Sequence, residues 1–269
     1  MPTIELTATD LNYERSGSGE PLLLIQGMGG THKSWGGPFA SLLERDFEVI
    51  AFDNRGIGLS RAVSDAFSIA EMAADTAELL EVLEIERAHV MGISMGGMIA
   101  QELAIAHPER LRTLTLGCSY CGGEGSKLMP VPNFQKLAEG MRSGDREKAI
   151  RASWEVNLSP AFRADESRFA AFLEMATRVP TAKATIELQA QAIFGHDTSA
   201  RLGELSSPTL IVHGTEDGVL PYPNGELIAS LMPTARLETL EDVGHMFWWE
   251  QPEHSAELIR EHALAAGRA

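Results

Sequence analysis

The chain has 269 residues, enough for one large domain or for a domain carrying a sizeable insertion. Hydrophobic residues make up 44% and charged residues 22%, the balance of a globular protein with a full core. The 22 basic against 38 acidic side chains leave a formal charge of −16, which sets nucleic acid and anionic membranes aside as partners, because nothing would offset repulsion from phosphates.

Residues 3–8 and 11–15 read as a short antiparallel pair, followed by buried strands over 21–25 and 47–52 with a helix over about 34–45 between them. No basic segment followed by an apolar stretch precedes them, so no signal peptide is expected, and no apolar run approaches a membrane span. A cytoplasmic protein is the expectation. The next helix, 68–83, has Ile69, Met72, Thr76, Leu79, Leu80 and Leu83 at helical spacing, with Ser68 as N-cap and Glu71 as its capping-box partner. A strand over 88–92 runs into Gly92-Ile93-Ser94-Met95-Gly96 and a helix over 96–106 that ends before His107-Pro108. After a strand over 111–116 come the two cysteines, Cys118 and Cys121, expected as free thiols because one pair supplies half a zinc site and lacks a redox context.

Residues 122–205 show no convincing strand, only helical segments over 134–142, 145–154, 165–178 and 181–193 separated by Pro and Gly. Strands over 208–213 and 236–240, and helices over about 221–232 and 252–266, complete the chain. The alternation predicts an α/β fold: a mostly parallel, doubly wound sheet of eight strands, with an all-helical cap inserted after the sixth. Residues 1–121 and 206–269 would form the core domain and 122–205 the cap.

A G-x-S-x-G pentapeptide at a strand-to-helix junction is the sequence form of a nucleophile elbow, which makes Ser94 the candidate nucleophile. A serine hydroxyl needs a neighbouring base and an orienting carboxylate. Of the eight histidines, His89 lies within a strand and His213 at the end of one, His107 precedes Pro108 at a helix end, His254 and His262 belong to the terminal helix, and His32 and His196 to loops far from a matching strand end. His245 follows the last strand through Glu241-Asp242-Val243-Gly244, where Gly244 lets the backbone turn an imidazole inward. The acid is expected one strand earlier, as Asp217 with Glu216 its competitor; Asp242 is too close to His245 in the same turn to reach Nδ1. Oxyanion donors are expected from the Met95 amide and from the Met28 amide of Gln26-Gly27-Met28-Gly29-Gly30. That loop lacks the spacing of a phosphate cradle.

Together these segments, with Phe52-Asp53-Asn54-Arg55-Gly56-Ile57-Gly58-Leu59-Ser60, resemble the α/β-hydrolase family over nearly the whole chain outside the insertion. The resemblance implies a Ser94–Asp217–His245 triad, an oxyanion hole from the Met28 and Met95 amides, and neither metal nor organic cofactor. It also implies that Asp53 and Arg55 brace neighbouring loops. One departure is Gln26, where many relatives carry His. Ser94-Met95-Gly96-Gly97-Met98-Ile99-Ala100-Gln101 is similar to the 3-oxoadipate enol-lactonase branch and related small-ester hydrolases. A dehalogenase or epoxide hydrolase would carry Asp at Ser94, whereas carbon–carbon bond hydrolases and perhydrolases share the serine triad.

The expectation is therefore a serine hydrolase acting through an acyl-enzyme on a small, largely apolar ester or lactone, as a monomer or homodimer. A slow-turnover ligand receptor on the same triad is the rival of another class. Gly27, Val219, Leu220, Met246 and Phe247 beside the catalytic positions, with Trp154 and Phe194 from the insertion, are the expected substrate contacts. No Arg or Lys adjoins the catalytic loops, which counts against a carboxylate-bearing substrate unless Arg151, Arg163 or Arg178 supplies the charge.

Overall fold

Along the third strand, Glu20–Ile25, side chains alternate between two hydrophobic cores: Leu23 and Ile25 join one, Leu22 and Leu24 the other, and all four are essentially inaccessible. A strand apolar on both sides is what a sheet covered by helices on both faces requires. Each such leucine contributes roughly 1.5–3 kcal/mol by leaving water. The computed structural model describes residues 2–179, 181–233 and 235–266. In chain order the elements are β1 (Thr3–Glu5), β2 (Asp10–Gly17), β3 (Glu20–Ile25), α1 (Gly37–Leu43), β4 (Phe47–Phe52), α2 (Ile69–Val82), β5 (Ala88–Ile93), α3 (Met95–Ala106) and β6 (Leu111–Gly117). Then follow α4 (Val131–Arg142), α5 (Arg146–Asn157), α6 (Pro160–Arg163), α7 (Phe169–Arg178), α8 (Lys183–Phe194), β7 (Thr209–Gly214), α9 (Pro223–Leu231), β8 (Arg236–Leu240), α10 (Phe247–Glu250) and α11 (Pro252–Ala266).

The eight strands form one sheet in the order β1-β2-β4-β3-β5-β6-β7-β8. β2 is antiparallel to both β1 and β4, and every other pair is parallel. One core takes Met72, Leu79 and Leu80 of α2 and Met98, Ile99 and Leu103 of α3; the other takes Phe39 and Leu43 of α1 and Leu258, Ile259 and Ala263 of α11. The parallel strands therefore end at one edge, and the loops after β3, β5, β7 and β8 all open there, where α/β sheets bind ligands.

Several boundaries differ from expectation for local reasons. The helix expected over 34–45 is a 3-10 turn at His32–Trp35 followed by α1, because Gly36 takes φ +76° between them. The expected 165–178 helix is likewise a short 3-10 turn, Glu166–Arg168, leading into α7, and α6 and α10 are short helices without a periodic signature. The Ser68–Glu71 capping box is present, with Ser68 Oγ accepting from the Glu71 amide and Glu71 Oε2 from the Ser68 amide. Among the described residues, 122–205 hold five α-helices and no strand. No helix of the described residues is long and apolar enough to cross a membrane.

Candidate active site

β5 enters α3 through a turn in which Ser94, a non-glycine residue, takes φ +53° and ψ −122°. That backbone strain survives only where the surroundings over-determine it. Small residues permit the turn: a Cβ on Gly92 would stand 2.1 Å from the Gly96 carbonyl oxygen, and one on Gly96 2.1 Å from that of Ile25. Hydrogen bonds hold it. The Ser94 amide donates to the Gly117 carbonyl at 2.9 Å, and Ser119 Oγ donates to the Ser94 carbonyl at 2.9 Å. Behind Ser119 runs a buried polar chain: Gln101 Nε2 donates to Ser119 Oγ at 3.4 Å, and Thr198 Oγ1 donates to Gln101 Oε1 at 2.6 Å. The Met95 amide stands in the first turn of the twelve-residue α3, where helix N–H groups lack partners and the dipole favours an anion.

The loop after β3 lies across from the elbow, where a Cβ on Gly27 would lie only 3.0 Å from Ser94 Cβ. Its amides can be accounted for one by one. Gly27 donates to Gln26 Oε1 at 3.2 Å, Gly29 to Gln189 Oε1 at 2.9 Å and Gly30 to the Gly27 carbonyl at 3.2 Å. This leaves Met28 as the one N–H of residues 27–30 without an acceptor among the described residues. Gln26 thus braces its own loop, and Asn54 Nδ2 donates to its carbonyl at 3.0 Å. Asp53 joins the same scaffold, accepting from the amide and Nδ1 of His32, both at 2.7 Å, and from Asn12 Nδ2 at 2.9 Å. Burial alone would raise the Asp53 carboxyl, but the His32 contacts outweigh it and hold it below its ordinary range. Arg55 is paired with Asp75 through two bonds of 2.6 Å.

Asp217 projects from the turn after β7 and is fully shielded. Its Oδ1 accepts from the Val219 and Leu220 amides at 2.8 and 2.9 Å; its Oδ2 lies 2.7 Å from His245 Nδ1 and 3.2 Å from His213 Nε2. Burial pushes this carboxyl up, but the His245 charge and the two imidazole contacts win and hold it well below its ordinary value. An ionised Asp217 makes Nδ1 the donor nitrogen of His245 and leaves Nε2 free to accept a proton. The His245 loop is pinned in turn: Gly244 N–H donates to Glu250 Oε1 at 3.0 Å, and Glu250 also accepts from the amide and hydroxyl of Ser159 at 2.8 and 2.6 Å.

Ser94, His245, Gly27, Met28, Val219 and Met246 line one cavity of about 430 Å³ beneath the helices of residues 122–205. Four expected contacts lie elsewhere. Trp154 is 1% exposed and packs edge-on against Phe169 and Phe172, one layer behind the wall. Phe194 is 70% exposed at the end of α8. The Leu220 side chain belongs to the core, and Phe247 is buried against Gly117. The wall instead comes from Leu137, Met141, Phe172, Met175, Ile186 and Trp248. Arg151, Arg163 and Arg178 bond to Glu166, the Leu158 carbonyl and Glu174, and none lines the cavity.

His213 carries more than its strand position suggests. Its Nε2 faces the Leu220 carbonyl at 2.8 Å, so that nitrogen bears the proton and steadies the turn holding Asp217. The i,i+4 spacing of His213 and Asp217 across a Gly turn was the available signal. Gln189 left no signal because its partner Gly29 lies 160 residues away, and Glu250 none because it ties the nearby Gly244 to Ser159, 91 residues away. Among the described residues, one group has metal-ligand chemistry: atoms of Cys118, Asp217 and His245 lie within 4.8 Å of one another. It does not suit a cation. Burial pushes the Cys118 thiol well up and keeps its proton, and Asp217 and His245 are already spent on each other. Cys118 and Cys121 are buried free thiols.

This architecture and loop arrangement define a hydrolase-type fold, and the family model of the α/β hydrolase fold matches residues 20–252. The chain belongs to that family. RutD of Azorhizobium caulinodans is 29% identical over 264 residues, spanning 96% of this chain and 97% of RutD. The 2-hydroxymuconate semialdehyde hydrolase of a Pseudomonas strain is 30% identical, spanning 91% of this chain and 86% of its own. Among solved structures, Est816, described as an N-acyl homoserine lactone degrading enzyme, superposes with a TM-score of 0.79 at 28% identity, covering 96% of this chain and 99% of Est816.

Proposed function

We propose that the chain is a serine hydrolase that cleaves an uncharged, largely apolar carboxylic ester or lactone through an acyl-enzyme on Ser94. The observation that carries this reading is the cavity itself. Ser94 and His245 stand on a wall that, among the described residues, holds no Asp, Glu, Lys or Arg, with Met28, Met129, Met141, Met175 and Met246 supplying adaptable apolar surface. A substrate carboxylate would lose its hydration there with no cation to replace it. The likeness to Est816, described as degrading an N-acyl homoserine lactone, supports an acyl lactone or ester as the substrate.

In this mechanism His245 Nε2 takes the Ser94 proton as Oγ attacks the carbonyl, and Asp217 stabilises the imidazolium. The Met28 and Met95 amides receive the oxyanion, each contributing about 3–4 kcal/mol. Collapse expels the alkoxide as His245 returns the proton, and a water activated by the same nitrogen releases the acid. Residues 122–205 act as a cap domain over a core of 1–121 and 206–269, excluding water and setting acyl length.

The test is a panel of neutral acyl esters and lactones beside matched substrates ending in a carboxylate and a vinylogous diketone acid, with Ser94→Ala as control. Neutral esters should turn over at least about tenfold faster than charged ones, since one unpaired buried charge costs well over 1.4 kcal/mol, and Ser94→Ala should be inert but folded. Preference for the charged esters would refute the substrate class. Native turnover by Ser94→Ala would refute the nucleophile.

A further inference from the structure

We infer that Gln189, on α8, is a positioning residue for the oxyanion hole, so that the hole is complete only while α8 sits on the core; this rests on the serine-hydrolase reading above. Gln189 is wholly inaccessible to solvent, and its Oε1 accepts the Gly29 N–H at 2.9 Å across 160 residues of sequence. The same peptide segment is gripped from its other side, where Thr181 Oγ1 donates to the Gly29 carbonyl at 3.2 Å. Ile186 closes the third side: a Cβ on Gly29 would lie 2.8 Å from its Cδ1.

Packing does not explain a carboxamide here. Gln189 Nε2 is buried without a hydrogen-bond partner, a cost that a methionine of the same length would avoid. What methionine cannot do is accept a hydrogen bond of this strength from an amide. The acceptor matters because of the neighbouring peptides. The Met28–Gly29 peptide, whose N–H Gln189 holds, shares the Met28 α-carbon with the Gly27–Met28 peptide that carries the unpartnered donor. Freed of Gln189, the first can rotate to find another acceptor, and its rotation turns the second away from the position facing Ser94. The remaining amides of the loop are held by Gln26 and by Gly27 within the loop itself. Among the acceptors of the loop's amides Gln189 is the one that comes from the insertion, and it acts on the Met28 donor through the backbone without touching substrate.

The experiment compares full-length wild type, Gln189→Met and Thr181→Val. Their kcat and KM are measured on p-nitrophenyl butyrate, along with the rate at which diethyl p-nitrophenyl phosphate labels Ser94, a reaction that also builds negative charge in the hole. Gln189→Met should lower kcat and the labelling rate by about 10- to 100-fold with KM within about threefold, because a misdirected donor is lost to the transition state and scarcely to the ground state. Thr181→Val loosens the same peptide at a partly exposed site where folding is not at stake, and should lower kcat about three- to tenfold. Unchanged kcat in Gln189→Met, or in Thr181→Val should Gln189→Met not fold, overturns the inference, as does a loss confined to KM. If wild type labels at Ser94 and Gln189→Met labels equally fast, only this inference fails. If wild type does not label at Ser94, the serine-hydrolase reading beneath it fails.

Discussion

Replacing Asp217 by Asn changes one atom, and the surrounding hydrogen bonds dictate which way the new amide must face. Oδ1 accepts from two backbone amides, Val219 at 2.8 Å and Leu220 at 2.9 Å, and backbone N–H groups can only donate. The single carboxamide oxygen must therefore stay there, since the opposite orientation would set an NH2 against two donors. That places Nδ2 2.7 Å from His245 Nδ1 and forces this nitrogen to accept. The imidazole proton then moves to Nε2, the nitrogen that takes the proton of Ser94 in the proposed mechanism. His213 cannot compensate, because its Nε2 proton is engaged with the Leu220 carbonyl at 2.8 Å. The same exchange in serine proteases costs about 10⁴ in kcat, or roughly 5.5 kcal/mol, and Asp217→Asn should show a loss of that order with KM little changed. The assay is steady-state ester hydrolysis at neutral pH, with imidazole nitrogen NMR reporting Nε2 protonated in the variant. A folded Asp217→Asn protein within tenfold of wild-type kcat would mean that this carboxylate does not orient the base.

Two further outcomes follow from the packing. Burial, with Arg201 adding to it and Glu102 opposing, lowers His196 from 6.5 to about 4. The unfolded chain thus binds this proton first: the stability is complete above pH 6.5 and is lost as pH falls from 6.5 toward 4, by roughly 3 kcal/mol in total. Urea unfolding of wild type and His196→Gln should show the variant losing about 2 kcal/mol less between pH 7 and pH 4.5; identical slopes would contradict the assignment. Trp154→Ala should empty the centre of the aromatic cluster formed with Phe162, Phe169 and Phe172 and cost about 3–5 kcal/mol in chemical denaturation. Since Phe172 presents its other side to the cavity, KM should rise more than kcat falls; the reverse split would place Trp154 nearer the chemistry than its burial allows.

Much of the candidate site was legible in the chain because its chemistry is written at strand ends. Gly92 and Gly96 flank Ser94 in five consecutive residues, and the turn they permit is a local steric matter. Asp217 and His245 stand in short loops after strands whose apolar runs identify them, so chain order alone sets them at one edge of a parallel sheet. The cavity wall was not legible, and the reason is physical. Helical periodicity in α4, α5, α7 and α8 reveals that each has an apolar face, but Trp154 turned to its neighbours and Phe172 or Met175 turned to the cavity obey the same pattern. Phe194 shows the limit further: an apolar residue at a helix end is buried or exposed according to what lies opposite. The supports were least legible of all. Ser119 on the Ser94 carbonyl, Gln189 on the Gly29 amide and Glu250 on the Ser159 and Gly244 amides join segments 25, 160 and 91 or 6 residues apart. A buried hydrogen bond is worth having only when its partner arrives with the right distance and angle, and no property of either residue alone states that it will. The turn at Ser94 and the order of the strands were thus determined by local backbone sterics and hydrophobic alternation, whereas the shape of the cavity and the bracing of the loops around it were decided only when distant polar groups met in the folded core.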